Sequence, residues 1–318
     1  MKRAWLYFWL VSIIWGSSFL FMRVGVEELP AAQMAFTRVG IAAICMNIVL
    51  LLTRRRYPTN RRTLLLLLLL GMVNTGLPFT LLAWGEQTVE SGMTGVLQAI
   101  TPVFAVIIAH FAFADERITP MKILGIAISF GGILVLTSRD LASGSGFGAD
   151  LSGEIAILVA SLCYGIGTNF SRKMLRERAP DTIVVAAVTM TGASLITLVL
   201  MFALPLLGDR APVAYTSLSS DVLQIALVLG FVNTFIAYLM FYNVIAGLGA
   251  ARASMVTYVI PVISVALGAL FLQELIDAQL LIGSALILVG LVLVNGWLRP
   301  LLQRRRFASK QPRSAVGE

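Results

Sequence analysis

The chain has 318 residues, of which 58% are hydrophobic and only 13% charged, and it carries a formal net charge of +8. Soluble domains run near ~45–50% apolar and ~25% charged, so this composition is that of an integral membrane protein and speaks against a soluble enzyme. Most of the 24 Lys and Arg sit in short clusters between apolar runs, where they act as topology signals rather than as a nucleic-acid surface.

A spanning helix needs about 20 apolar residues. Ten such segments follow one another, at 4–24, 31–52, 64–84, 92–113, 120–138, 153–175, 181–207, 222–246, 250–272 and 279–298. The first begins like a signal peptide with Lys2 and Arg3, but its apolar part exceeds the usual ~7–15 residues and no A-x-A site follows, so it is expected to be a spanning helix. Cys45 and Cys163 fall inside apolar segments and read as small buried hydrophobes, not as a disulfide framework. Pro30, Pro120 and Pro180 precede helix starts, and the stretch from Ser138 to Gly153 is polar and rich in Gly and Ser, the signature of a connection. The expected organisation is a five-helix half at 1–138, a periplasmic linker at 139–152, a second five-helix half at 153–298 and a basic cytoplasmic tail at 299–318.

One set of alternate loops and ends holds 20 of the 24 Lys and Arg, which places both termini in the cytoplasm by the positive-inside rule. The acidic residues lean to the opposite ends, among them Glu27, Glu28, Glu86, Glu154 and Glu274.

The two halves are related by sequence. Leu70-Gly71-Met72-Val73-Asn74-Thr75 recurs as Leu229-Gly230-Phe231-Val232-Asn233-Thr234, five of six identical at a spacing of 159. The same spacing takes Pro102 to Pro261; 158 takes Glu116 to Glu274, Gly125 to Gly283 and Gly132 to Gly290; 149 takes Trp15 to Tyr164 and Arg23 to Arg172. An odd number of helices per half makes equivalent helices cross in opposite senses. The fold class is therefore all-α integral membrane, with ten transmembrane helices as two inverted five-helix repeats, an architecture that goes with secondary transport around a midplane site.

These features together resemble the drug/metabolite transporter superfamily, EamA type: ten helices in two halves, each half with a mid-helix proline (Pro102, Pro261), an acidic residue after an apolar run (Glu116, Glu274) and Gly-x6-Gly in its last helix. The resemblance covers almost the whole chain, and its general pattern is most similar to YddG-type amino-acid exporters. It implies export of amino acids or related metabolites across a bacterial inner membrane, with helices 1, 3, 4, 6, 8 and 9 around a central cavity; nucleosides, nucleotide sugars and drugs are the alternative cargoes within the superfamily.

Polar and aromatic side chains at membrane depth are the site candidates, because polar groups there are costly unless they face a cavity or a partner helix. The repeat takes Phe79 to Tyr238 and Trp15 to Tyr164; Gln98 with Thr101, and Thr257 with Tyr258, precede or adjoin the paired prolines. These eight residues are the expected substrate cavity. Pro102 and Pro261 each free a backbone carbonyl and are expected to kink or gate beside it. Asn74 and Asn233 suit interhelical amide bonds. Arg38 reads as an anchor reaching the outer interface or pairing with Glu27 or Glu28, and His110 as a hydrogen-bonded interfacial imidazole.

No metal or cofactor is expected, the partners being a small-molecule substrate and the lipid bilayer, without nucleic acid; monomer and homodimer stay open. A membrane-embedded enzyme needs a clustered nucleophile, base or metal set, a channel needs rings of charge or carbonyl-rich filters, and primary transport needs a Walker motif; none stands out. The acidic residues all fall at helix ends or loops, which favours facilitated transport over strict proton coupling.

Overall fold

The computed structural model describes residues 1–142, 149–178 and 181–296. The 299–318 tail, Pro180 and the middle of the 139–152 linker lie outside the described residues, and 139–142 and 149–152 continue the flanking helices.

The helices are α1 Lys2–Glu28, α2 Ala31–Leu52, α3 Arg61–Gly85, α4 Ser91–Ala112, α5 Pro120–Ala142, α6 Ala149–Arg178, α7 Thr182–Ala203, α8 Ser220–Leu248, α9 Val256–Phe271 and α10 Ala278–Val294. Eight are long and apolar enough to cross a membrane; α9 and α10 are shorter, at 16 and 17 residues. Their starts are written locally. Asn60 accepts from the Arg62 amide at 2.9 Å, Asp181 from Ile183 at 2.9 Å, Ser219 from Val222 at 3.3 Å and Asp277 from Leu280 at 2.8 Å, each satisfying an amide left free at a helix N-terminus. The last turn of α1 is closed from a distance: Arg210 donates to the carbonyls of Val26 at 2.8 Å and Glu28 at 2.9 Å.

The helices pack in pairs that respect the inverted repeat. α1 lies against α8 and α9 of the other half, and its counterpart α6 lies against α3 and α4; α2 packs on its counterpart α7, and α5 on α10. Each half thus supplies walls to the other. The Gly-x6-Gly pairs form the α5–α10 seam: a Cβ at Gly125 would lie 2.6 Å from the Gly290 carbonyl, and one at Gly132 would lie 2.8 Å from that of Gly283. Small residues let backbones approach this closely where no hydrophobic force drives helices together.

The repeated six-residue motif also has a structural meaning that its sequence did not announce. α3 widens into a π turn at Met72–Gly76 and α8 does so at Phe231–Ile236, the same point of each half. Such turns rotate the helix face beyond them and collect at functional sites. Asn233 holds its turn to α1, donating to the Ile14 carbonyl at 2.5 Å and to Ser18 Oγ at 3.0 Å. Asn74 rests on Gly167 of α6, where a Cβ would meet its Oδ1 at 2.3 Å.

Candidate substrate cavity

A cavity of about 430 Å³ lies between the halves, with Asn74 of the α3 π turn on its wall, within the ~300–1,000 Å³ of small-molecule sites. The wall from the first half carries Trp15 on α1, Phe79 on α3, and Gln98, Thr101 and Pro102 on α4. The second half contributes Tyr164 on α6, Tyr238 on α8 and Thr257 on α9. The Trp15 ring lies 5.8 Å from that of Tyr238 and 4.9 Å from that of Phe241, so one side of the cavity is an aromatic cluster. No Asp or Glu is on the wall among the described residues.

Two expected site residues fall elsewhere. Tyr258 is not on the wall, and its hydroxyl accepts from Nδ2 of Asn295, the residue that follows α10, at 2.6 Å. Successive helical residues are turned by about 100°, so Thr257 and Tyr258 cannot both face the cavity. Pro261 is buried inside the unbroken helix α9, where Ile260 lines the cavity instead. The interruption before α9 falls at Ser254 and Met255, more than a turn ahead of the proline. In α4 the break at Ala99 and Ile100 comes directly before Thr101, and Pro102 sits in the first turn of the second segment, where its missing amide costs nothing.

Arg38 is the residue that the sequence reading placed wrongly. Neither an interfacial anchor nor a partner of Glu27 or Glu28, it is 4% exposed and on the cavity wall. Glu28 is instead engaged by the Ser219 amide at 2.8 Å. Arg38 Nε donates to Thr234 Oγ1 at 2.9 Å, and its guanidinium lies 4.0 Å above the Phe79 ring. The available signal was its lone position in an apolar helix, which by itself marks an intramembrane charge as functional.

The ends of the cavity differ. Phe19, Met22, Phe79 and Leu82 line it and are 4%, 1%, 6% and 2% exposed, whereas their repeat counterparts Thr168, Ser171, Tyr238 and Phe241 are half-buried or exposed. The cavity is closed toward the end that carries Glu86 and opens toward the end where the described chain starts and finishes.

At the closed end, Glu86 follows directly on α3, yet it is fully buried and neither carboxylate oxygen has a hydrogen-bond partner. Glu86 does fall at a helix end, as the sequence reading had it, and it is enclosed all the same. Burial holds this carboxyl well above the usual carboxylate range, the Arg23 guanidinium pulling it down and the Glu274 carboxylate pushing it up. A group raised in this way contributes stability that is complete below its unfolded value and is lost as pH rises through its folded one. Glu86→Gln is therefore expected to raise the melting temperature in detergent at pH 8 and leave it nearly unchanged at pH 4; an equal shift at both would show that folding does not raise this carboxyl's pKa.

A multi-pass helical protein built as two interleaved inverted repeats around a partly aromatic cavity closed at one end is, as a class, a membrane carrier. The profile of the EamA-like transporter family matches residues 2–138 and 151–296, once in each half, and the chain belongs to that family. It is similar to the "Probable terminal-alkyne amino-acid exporter" of Streptantibioticus cattleyicolor, with 28% identity over 94% of this chain and 95% of that one. It is also similar to the "Uncharacterized inner membrane transporter YedA" of Escherichia coli strain K12, with 29% identity over 80% and 78% of the two chains. A solved crystal structure, 18% identical, covers 95% of this chain and 99% of its own with a TM-score of 0.61, which bears on the fold alone.

Proposed function

We propose that this membrane transporter exports small organic metabolites, foremost amino acids including aromatic or apolar ones, by alternating access across a bacterial inner membrane. The observation that carries this reading is the cavity itself, about 430 Å³ in volume, walled by both halves and closed at one end only. Exchange of the two halves' conformations would close the open end and open the closed one around the same aromatic wall. The positive-inside count puts both termini, and with them the open end, in the cytoplasm, so that this state loads cargo for export. A wall without a carboxylate supports facilitated movement down the cargo's own gradient. The name of the Streptantibioticus relative supports amino acids over the nucleosides, nucleotide sugars and drugs of other branches.

Flux into proteoliposomes from a panel of amino acids, nucleosides and cationic drugs, with and without a pH gradient, tests this. The expected result is saturable movement of apolar or aromatic amino acids without a pH gradient, with single cysteines at Thr59 and Thr216 labelled from opposite faces. A profile confined to nucleosides or drugs, or accumulation that needs the pH gradient, would overturn it.

A further inference from the structure

We infer that Arg38 is the subsite that takes the carboxylate of the transported solute, so that the cavity selects a free carboxylate over neutral or purely cationic analogues. The inference rests on the carrier reading above and names a chemical requirement that the reading leaves open.

The argument starts from counting donors. A guanidinium has five N–H groups in a planar fork. Its bonds to protein are Nε to Thr234 Oγ1 at 2.9 Å and Nη2 to Ser18 Oγ at a long 3.4 Å. Both acceptors are hydroxyls, and neither brings a negative charge. Among the described residues no carboxylate lies within 4.0 Å of Arg38, and no acidic residue is on the cavity wall. Glu86 acts on Arg38 only through space, without contact; an enclosed charge with no counter-charge in contact is costly, and beside a cavity it marks a place where the ligand completes the pair.

The surroundings hold the fork still without placing an anion in contact with it. Phe79 lies 4.0 Å beneath the guanidinium, a stacking contact that fixes its plane and leaves its edge free. Thr234 belongs to the π turn of α8, where its hydroxyl donates to the Leu229 carbonyl at 2.8 Å. The hydroxyl proton is thereby spent, and a lone pair is left for Arg38 Nε. The π turn thus serves to seat the arginine.

The site is also single. Gly230 packs against the Arg38 carbonyl, where a Cβ would lie at 3.0 Å, as Gly71 packs against the Thr189 carbonyl. In the inverted repeat Thr189 is therefore the counterpart of Arg38, and it carries no charge. One cation in one half suits one carboxylate; a phosphate dianion would call for a second. The rest of the solute then faces Trp15, Tyr238 and Phe241, rings that accept an apolar side chain or an ammonium group.

Four compounds sharing one phenyl group separate the requirements: L-phenylalanine, L-phenylalaninamide, 3-phenylpropionate and phenethylamine. Calorimetric binding to the purified full chain is expected to favour each acid at least 30-fold over its amide or amine analogue. Arg38→Gln should erase that preference, and Arg38→Lys, which keeps charge but not the fork, should restore part of it. Equal binding of acids and amides by the wild type would overturn the inference, whether or not Arg38→Gln folds. Because binding is read apart from flux, the inference and the carrier reading fail separately: acid-selective binding without flux of any panel solute would sink transport and leave the subsite, and flux of amides as fast as acids would do the reverse.

Discussion

Gly71→Ala is expected to abolish recovery of folded, monodisperse protein. A methyl group at this position would lie 1.8 Å from the Thr189 carbonyl oxygen and 2.6 Å from its carbonyl carbon on α7. These are backbone atoms, which no rotamer change can move aside. The same seam is closed from the other side by Gly192, where a Cβ would lie 2.2 Å from the Leu68 carbonyl oxygen of α3. Relief requires parting α3 from α7, and α7 in turn packs on α2, so the damage reaches the helix that carries Arg38. Overpacking in a tight core costs about 1–3 kcal/mol and more when the backbone must move; here about 3 kcal/mol or more is expected. Gly131→Ala is the control, because nothing lies within 4 Å of a Cβ there and its melting curve should match wild type. Size-exclusion profiles and thermal melts in one detergent decide the matter: a Gly71→Ala protein that melts with wild type would show that the seam is looser than described.

Glu274→Ala should shift the protein out of the present state. The Glu274 carboxylate accepts from the Ser91 amide at 2.7 Å and the Gly92 amide at 2.8 Å, bridging the loop after α9 to the start of α4 at the closed end. Its repeat counterpart Glu116 does something else at the open end, pairing with Arg172 at 2.8 Å. The residues equivalent to Ser91 and Gly92 are Ala250 and Ala251, and the counterpart of Arg172 is Arg23. One acidic residue per half thus has two stations, the amides at a helix start or an arginine, and the two ends use different ones.

Hydrogen bonds to a charged group are worth about 1.5–3 kcal/mol each, and a loss of about 3 kcal/mol moves a two-state ratio by about 100-fold. The readout is a cysteine at Met22, which is 1% exposed at the closed end, in a background lacking Cys45 and Cys163. An impermeant thiol reagent should label it at least tenfold faster in Glu274→Ala than in Glu274, and Glu116→Ala should leave it protected. Equal labelling with and without the Glu274 carboxylate would show that the bridge does not hold this end shut.

The chain by itself determined the membrane class, the number of helices and their inverted pairing. These follow from quantities that act along the sequence: apolar length against bilayer thickness, and similarity at spacings of 149 to 159. Seven of the eight expected cavity residues meet in space for the same reason, since a repeat that puts Trp15 opposite Tyr164 and Phe79 opposite Tyr238 aligns whole faces. Only the tertiary structure decided the rest. Which face of α9 turns inward separates Thr257 from Tyr258, and that is set by packing against α1 and α4. Arg38, two turns into α2, and Glu86, directly after α3, are single charges beside apolar runs in the sequence, but what surrounds them is contributed by residues up to about 200 positions away, such as Thr234 and Glu274. The difference between the closed and open ends is written in neither half, because near-equivalent sequences adopt unlike conformations. That asymmetry is a property of the packed state.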